Sequence, residues 1–130
     1  MLQTKNEMRY INQEMIQDED FANWLIEVYN HLNDYAGKTV TFRAQVLYDE
    51  TLNEDELIAV RGVMTCCIAD IGYYGFVCKG IDPTLYQTSQ WIWVTGTFEI
   101  EEGENQDDMV LTNVQITPCD APAEEYVYFY

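Results

Sequence analysis

The apolar residues of this chain change their spacing at Gly37, and that change limits what the chain can fold into. From Phe21 to Tyr35 apolar side chains recur every three or four residues, which places them on one face of a helix. After Gly37 they alternate with polar ones, the spacing of half-buried strands. The sequence therefore predicts one helix followed by strands.

The predicted helix has a recognisable beginning and end. We expect Asp18 or Asp20 to cap its first turn, where carboxylates also suit the positive end of the helix dipole. Gly37 is the kind of residue at which helices commonly stop. The predicted inward face comprises Phe21, Leu25, Val28, Leu32 and Tyr35.

Five short strands are predicted behind this helix, with polar loops between them. The second is expected to face inward with Ile58, Val60, Met64 and Cys66, and the fifth with Val110, Val114 and Ile116. Such a set favours a mainly β fold with one N-terminal α-helix and a small five-stranded, OB-like barrel, with a sandwich as the alternative. The predicted strands cover residues 40–48, 58–66, 74–79, 91–100 and 110–116.

The chain of 130 residues is expected to form a single domain. Residues 1–17 are a polar N-terminal segment in which a short strand is expected near residues 10–16. Residues 18–130 are expected to hold the helix, the barrel and a C-terminal arm whose aromatic end docks on the body. No apolar run reaches the roughly 18 residues of a membrane-spanning helix, so we expect a soluble chain without direct membrane insertion.

The charge of the chain argues against several partners. It carries 23 acidic and 6 basic residues, for a formal net charge of −17. The electrostatic field of such a charge repels phosphate backbones and anionic membranes, so no nucleic-acid partner is expected. The six cations are scattered along the sequence and predict no basic cluster: Lys5, Arg9, Lys38, Arg43, Arg61 and Lys79.

The vicinal pair Cys66–Cys67 is the most distinctive chemical feature. Neighbours on a strand point to opposite faces, so one metal ion cannot easily take both thiolates if the strand continues through them. If the strand ends at Cys66, a turn can bring both to the carboxylate of Asp70, a donor set that suits zinc. Cys119 or His31 completes such a site only if the fold brings them near.

The cysteines also have a purely structural interpretation, which their spacing favours over zinc. No CxxC-type zinc signature is present, and thiols pack well in cores. Disulfides between Cys119 and either Cys67 or Cys78 are further alternatives, between which the sequence does not decide. A thiol-redox role requires a lowered cysteine pKa, and His31, the sole histidine, lies in the predicted helix. No catalytic constellation is visible, so the chain is not predicted to be an enzyme.

Two tryptophans, Trp91 and Trp93, are predicted on the outward face of the fourth strand. Exposed rings of this kind can form a binding platform. The helix or the C-terminal arm is the expected cover, which favours packing over binding.

Three motifs follow one another along the chain: Tyr35-Ala36-Gly37-Lys38-Thr39-Val40, the segment from Arg61 to Asp70 with its Cys-Cys-x-Ala-Asp core, and Trp91-x-Trp93-Val94-Thr95-Gly96. In this order they resemble the soluble C-terminal domain of the YcgQ-type family, bacterial proteins described as subunits of a two-component membrane permease complex. The resemblance covers about residues 10–117. The family pattern has an aromatic residue after the arginine, where this chain has Gly62.

The resemblance implies an OB-like barrel and association with a membrane permease subunit, in a soluble domain of a membrane-associated bacterial protein. Three hypotheses follow. The leading one is a non-enzymatic binding or accessory domain of such a complex, with the segment from Cys66 to Asp70 as its ligand site. The others are a zinc-binding or zinc-sensing domain that uses Cys66, Cys67 and Asp70, and a thiol-redox protein.

Overall fold

The computed structural model describes residues 8–65 and 70–129. In these ranges no helix is long and apolar enough to cross a bilayer. A short 3-10 turn, Asp18–Asp20, leads into helices α1 (Phe21–Asn30) and α2 (Leu32–Tyr35). The strands are β1 (Thr39–Leu47), β2 (Glu56–Met64), β3 (Gly72–Lys79), β4 (Trp91–Glu101), β5 (Asp108–Pro118) and β6 (Tyr126–Tyr128).

Strands β1 to β5 close into a barrel. Strand β1 pairs antiparallel with β4 and β2, β4 with β5, and β2 with β3, whereas β3 pairs parallel with β5. The order around the barrel is therefore β1-β2-β3-β5-β4 and back to β1. The predicted mainly β class, with a five-stranded barrel behind an N-terminal helix, is confirmed. Gly37 has φ +87°, the left-handed conformation expected where the helix stops.

The core is built around Trp24, a residue of α1 that the predicted helix face did not include. Its ring is fully buried, and the rings of Phe21, Phe42, Phe76 and Phe98 have centroids 5.3–5.9 Å away. Three of these phenylalanines come from β1, β3 and β4. Edge-on and tilted contacts of this kind add to the free energy of apolar burial. The aromatic cluster therefore fixes α1 against the inner surface of the barrel.

The inward face of β2 was predicted wrongly. Leu57, Ala59 and Val63 are fully buried in the core, whereas Ile58 and Met64 are only half-buried. A shift of one residue reverses every side chain on a strand. Because apolar residues occupy both faces of β2, their alternation does not reveal which face is inward.

The inward face of β5 changes along the strand. Its pairing with β4 shifts register, and Asn113 has φ +50° at that point. Such an irregularity changes which residues of the strand point inward. The core side is therefore lined by Met109 and Leu111 before the shift and by Val114 and Ile116 after it. The predicted inward residue Val110 is buried but lies outside the core cluster.

Strands β1 and β2 separate part of the way along. They pair only from Gln45 opposite Val60 to Leu47 opposite Ile58. Beyond this point β2 pairs in parallel with β6, which was not predicted because three residues in the C-terminal arm give little signal. The ring of Tyr126 fills the space beside Gly62, where a Cβ would lie 2.7 Å from its Cδ1. An aromatic residue at position 62 would therefore require the ring of Tyr126 to move.

The carboxylate of Glu27 holds the segment before the helices against α1. Glu27 is only 4% exposed. It accepts hydrogen bonds from the backbone N–H groups of Arg9 at 2.8 Å and Tyr10 at 2.9 Å, and from the hydroxyl of Tyr35. Burial and this carboxylate raise the pKa of Tyr35 far above its usual value, so the phenol stays a donor. Farther along, Met15 forms an isolated parallel bridge with Thr41 of β1.

The first prediction concerns this anchor. Glu27→Ala leaves two backbone donors and one hydroxyl without their acceptor, and we expect a loss of about 3 kcal/mol in the free energy of unfolding. Urea unfolding measures it, with Glu14→Ala, an exposed carboxylate of the same segment, as the control. Equal unfolding midpoints for the two variants would contradict the anchoring role.

Candidate functional site

Two arginines share one carboxylate where β1 and β2 separate. Arg61 Nη1 lies 2.7 Å from Asp18 Oδ1, and Arg43 Nη2 lies 2.5 Å from Asp18 Oδ2. Two of the six cations that are scattered in the sequence therefore meet in the fold, which the sequence did not predict. Asp20 is the N-cap residue of α1, one of the two expected positions, but its side chain makes no cap hydrogen bond, and Asp18 bonds to the two arginines. We call Asp18, Arg43 and Arg61 the arginine cluster.

The guanidinium of Arg61 is completely buried. Besides Asp18, Nη1 donates to the carbonyl of Arg43 at 3.5 Å, and Nη2 donates to those of Glu124 at 3.2 Å and Glu125 at 3.4 Å. Its Nε is buried without a hydrogen-bond partner. One side chain of β2 thus contacts β1, the start of the helical region and the chain just before β6.

The two tryptophans on β4 are covered by these arginines. The Cζ of Arg61 lies 5.0 Å from the ring centroid of Trp91, and that of Arg43 lies 5.0 Å from the centroid of Trp93. A guanidinium over an indole face is attracted by the ring quadrupole, by about 1 kcal/mol or more when water is excluded. The helix or the C-terminal arm was the expected cover. The structure places an arginine over each ring, with Trp91 buried and Trp93 half-buried.

Charge and burial oppose one another in this cluster. Burial raises the pKa of Asp18, but the hydrogen bonds from Arg43 and Arg61 outweigh it and leave that pKa below its usual value. Burial lowers the pKa of Arg61, an effect that Asp18 partly offsets. The hydrogen bond to Asp18 raises the pKa of Arg43. The carboxylate is therefore ionised near neutral pH, as two neighbouring guanidinium groups require.

A cavity of about 440 Å³ lies beside the arginine cluster. The guanidinium of Arg43 is already bonded to Asp18 and stacked on Trp93, so it is engaged by the protein itself. The arrangement is suited to holding separate chain segments together rather than to polarising a substrate. The walls of the cavity include Asp18, Glu19, Arg43, Glu124, Tyr126 and Tyr128.

The residues predicted as a metal site are only partly covered by the structure. Cys66 and Cys67 lie outside the described residues, and Asp70 is an exposed residue just before β3. His31 lies at the junction of α1 and α2, with its Nδ1 3.7 Å from Asp34. Within residues 8–65 and 70–129, no three His, Cys, Asp or Glu side chains form a group that could hold a metal ion.

The two described cysteines are free thiols, so the disulfide considered between Cys78 and Cys119 is absent. Cys78 is fully buried in the core, and burial raises its pKa to about 12. Cys119 is half-buried beside Arg43, and burial raises its pKa as well. Neither has the lowered pKa that thiol-redox chemistry requires.

Comparison with known proteins gives one family and two relatives. The protein-family model described as the DUF1980 C-terminal domain matches residues 1–129. The UPF0703 protein YcgQ of Bacillus subtilis is 27% identical over 86 residues, which are 66% of this chain and 30% of that protein. A Streptococcus mutans protein with the provisional name two-component membrane permease complex subunit is 32% identical over 84 residues, 63% of this chain and 31% of that protein.

The matched stretches thus span less than a third of the length of these curated relatives. The match to YcgQ confirms the resemblance found from the sequence motifs. No solved structure matches the chain significantly. Neither relative is named as an enzyme.

The second prediction concerns the shared carboxylate. Asp18→Asn leaves the buried guanidinium of Arg61 without its counter-charge, and we expect a loss of about 3 kcal/mol in the free energy of unfolding near neutral pH. Because the pKa of Asp18 is lowered in the folded state, its stabilisation is present above its unfolded pKa of about 4 and is lost as pH falls through the folded value. The difference between wild type and Asp18→Asn should therefore shrink below about pH 4.

Urea unfolding between pH 2 and 7 measures this difference. Asp107→Asn, an exposed carboxylate in the loop before β5, is the control and should unfold like the wild type at each pH. A stability difference between wild type and Asp18→Asn that stays constant down to pH 2 would contradict the role of the Asp18 carboxylate as the counter-charge of Arg61.

Proposed function

The chain belongs to the DUF1980 C-terminal domain family, and we propose that it is a non-enzymatic accessory domain that binds the other component of a membrane permease complex. The observation that carries the proposal is the match to a streptococcal relative whose name places it in such a complex. On this proposal the domain belongs to a membrane-associated assembly and contributes recognition rather than chemistry.

The internal pairing of the polar site supports a binding role. Asp18 is bonded to Arg43 and Arg61, and each guanidinium also lies over a tryptophan ring. Groups committed in this way stabilise the fold and are poorly placed to act on a substrate. The net charge of −17 favours a basic protein surface as the partner.

The barrel topology supports a scaffold of the OB type. Its strand order, β1-β2-β3-β5-β4, with parallel pairing of β3 and β5, fits a five-stranded Greek-key barrel. Barrels of that type present one face and its loops to a ligand. The acidic charge argues that the ligand here is a protein rather than an oligonucleotide.

The third prediction tests the accessory role. The tagged protein is co-expressed with the second component of the permease complex, solubilised in a mild non-ionic detergent and purified through the tag. We expect the second component to be recovered together with it and to stay bound through size-exclusion chromatography. An unrelated polytopic membrane protein expressed at the same level is the control. Equal recovery of the two membrane proteins would contradict the proposal.

Zinc binding by Cys66, Cys67 and Asp70 is the second candidate. One observation favours it: β2 ends at Met64, so the regular alternation of that strand stops before the cysteine pair. Two thiolates and a carboxylate are donors that zinc accepts, with a fourth position left for water or another ligand. On this proposal the segment between β2 and β3 carries the metal.

The fourth prediction tests zinc directly. Protein purified without chelator should contain about one zinc per chain, and Cys66→Ser or Cys67→Ser should remove most of it. Cys119→Ser is the matched control and should retain the metal. Substoichiometric zinc that the first two substitutions leave unchanged would rule out this site without affecting the accessory role.

A further inference from the structure

Large apolar side chains are exposed along one groove of the outer surface. Ile26 is 44% exposed and Tyr74 49%, unusual values for large apolar residues that line the same groove. The groove has a volume of about 350 Å³ and lies between α1, the start of β3 and the end of the described chain. We call it the aromatic groove, and it is lined by Leu25, Ile26, Tyr29, Asn30, Tyr74 and Phe129.

The wall of the groove is held in place by contacts with the core. The ring of Tyr29 stacks on that of Phe76, with centroids 5.7 Å apart and planes within 12°. Its hydroxyl donates to Asp108 Oδ1 at 3.0 Å. Phe76 in turn packs against Trp24 at the centre of the core. A partner that packs on Tyr29 meets a ring that is already fixed, so little conformational entropy is lost there.

An acidic loop adjoins the aromatic groove. Residues 101–108 are all exposed and include five carboxylates. The loop ends at Asp108, the residue that Tyr29 contacts. Lys79 neutralises the other end of the loop by pairing with Glu101. Asp108 therefore places one carboxylate at the edge of the groove, and the rest of the acidic loop continues from it.

We propose that the aromatic groove binds a segment of the second permease component in which apolar side chains are flanked by Lys or Arg. This inference rests on the function proposed above and names the surface through which that function acts. Apolar residues fill the groove, and the flanking cations face the loop 101–108. An anionic membrane is disfavoured by the net charge, and a second copy of this chain would bring like-charged loops together.

The fifth prediction is made for the protein and the purified second component in a non-ionic detergent. The double variant Ile26→Ser/Tyr74→Ser should weaken binding about tenfold or more, because it removes the two most exposed apolar residues of the groove. The charge-reversal variant Glu104→Lys/Asp107→Lys should weaken binding several-fold at low salt and reduce its dependence on salt concentration.

Matched controls separate the groove from general surface effects. Leu85→Ser removes an apolar residue that is 66% exposed and lies outside the groove. Glu50→Lys/Glu54→Lys reverses two exposed carboxylates in the loop between β1 and β2, residues 48–55. Both should bind within about twofold of the wild type, as substitutions outside an interface do. Circular dichroism and thermal unfolding of each variant confirm that the fold is intact.

Three results would overturn the groove assignment. The first is wild-type binding that the groove variants leave unchanged, which would leave the accessory role standing and place the interface elsewhere. The second is a dimer of this chain that Ile26→Ser/Tyr74→Ser dissociates, which would make a second copy the occupant. The third is groove-dependent binding to anionic vesicles. Failure of the wild type to bind the second component at all would instead refute the accessory role.

Discussion

The buried pairing of Arg61 with Asp18 is the interaction on which the arrangement of the chain depends. Removing a guanidinium from water costs several kcal/mol, so the group is tolerated only where its donors and charge are matched. Here a carboxylate, three backbone carbonyl groups and the ring of Trp91 match the charge and the two Nη groups, and only Nε is left without a hydrogen-bond partner. These partners come from distant parts of the sequence. The cost of burial therefore selects the one arrangement that brings them together.

The elements whose two faces differ in polarity were predicted well. In the part of β4 after Trp93, Val94 and Phe98 are buried as expected, because polar residues alternate with apolar ones there. In β2 both faces are apolar, so the alternation could not fix the inward one. The three-residue β6 is stabilised by its pairing with β2, by the burial of Val127 in the core and by the bonds of Arg61 just before it, contacts that have no local signal. Sequence patterns thus report burial within an element. Tertiary contacts decide which face of a two-sided apolar strand points inward and whether a short strand forms.

The arginine cluster was missed for a related reason. Asp18 and Arg61 are 43 positions apart, and acidic residues just before a helix are usually explained by capping. A signal was nevertheless present, since an arginine within the apolar run 57–64 needs a buried counter-charge or a route to water. The candidate metal residues Cys66, Cys67 and Asp70 were chosen for their donor atoms, since their spacing matches no zinc signature, and they stay a prediction.

Stability and recognition are assigned to different parts of this fold, and the aromatic core connects them. The arginine cluster joins β1, β2 and the C-terminal arm, whereas the aromatic groove lies beside α1 and β3. Trp24 contacts Phe76, and Phe76 supports Tyr29 in the groove wall. A partner that fills the groove therefore packs on side chains that the core already holds. The affinity then depends on apolar fit, while the acidic loop mainly speeds association and discriminates against acidic partners.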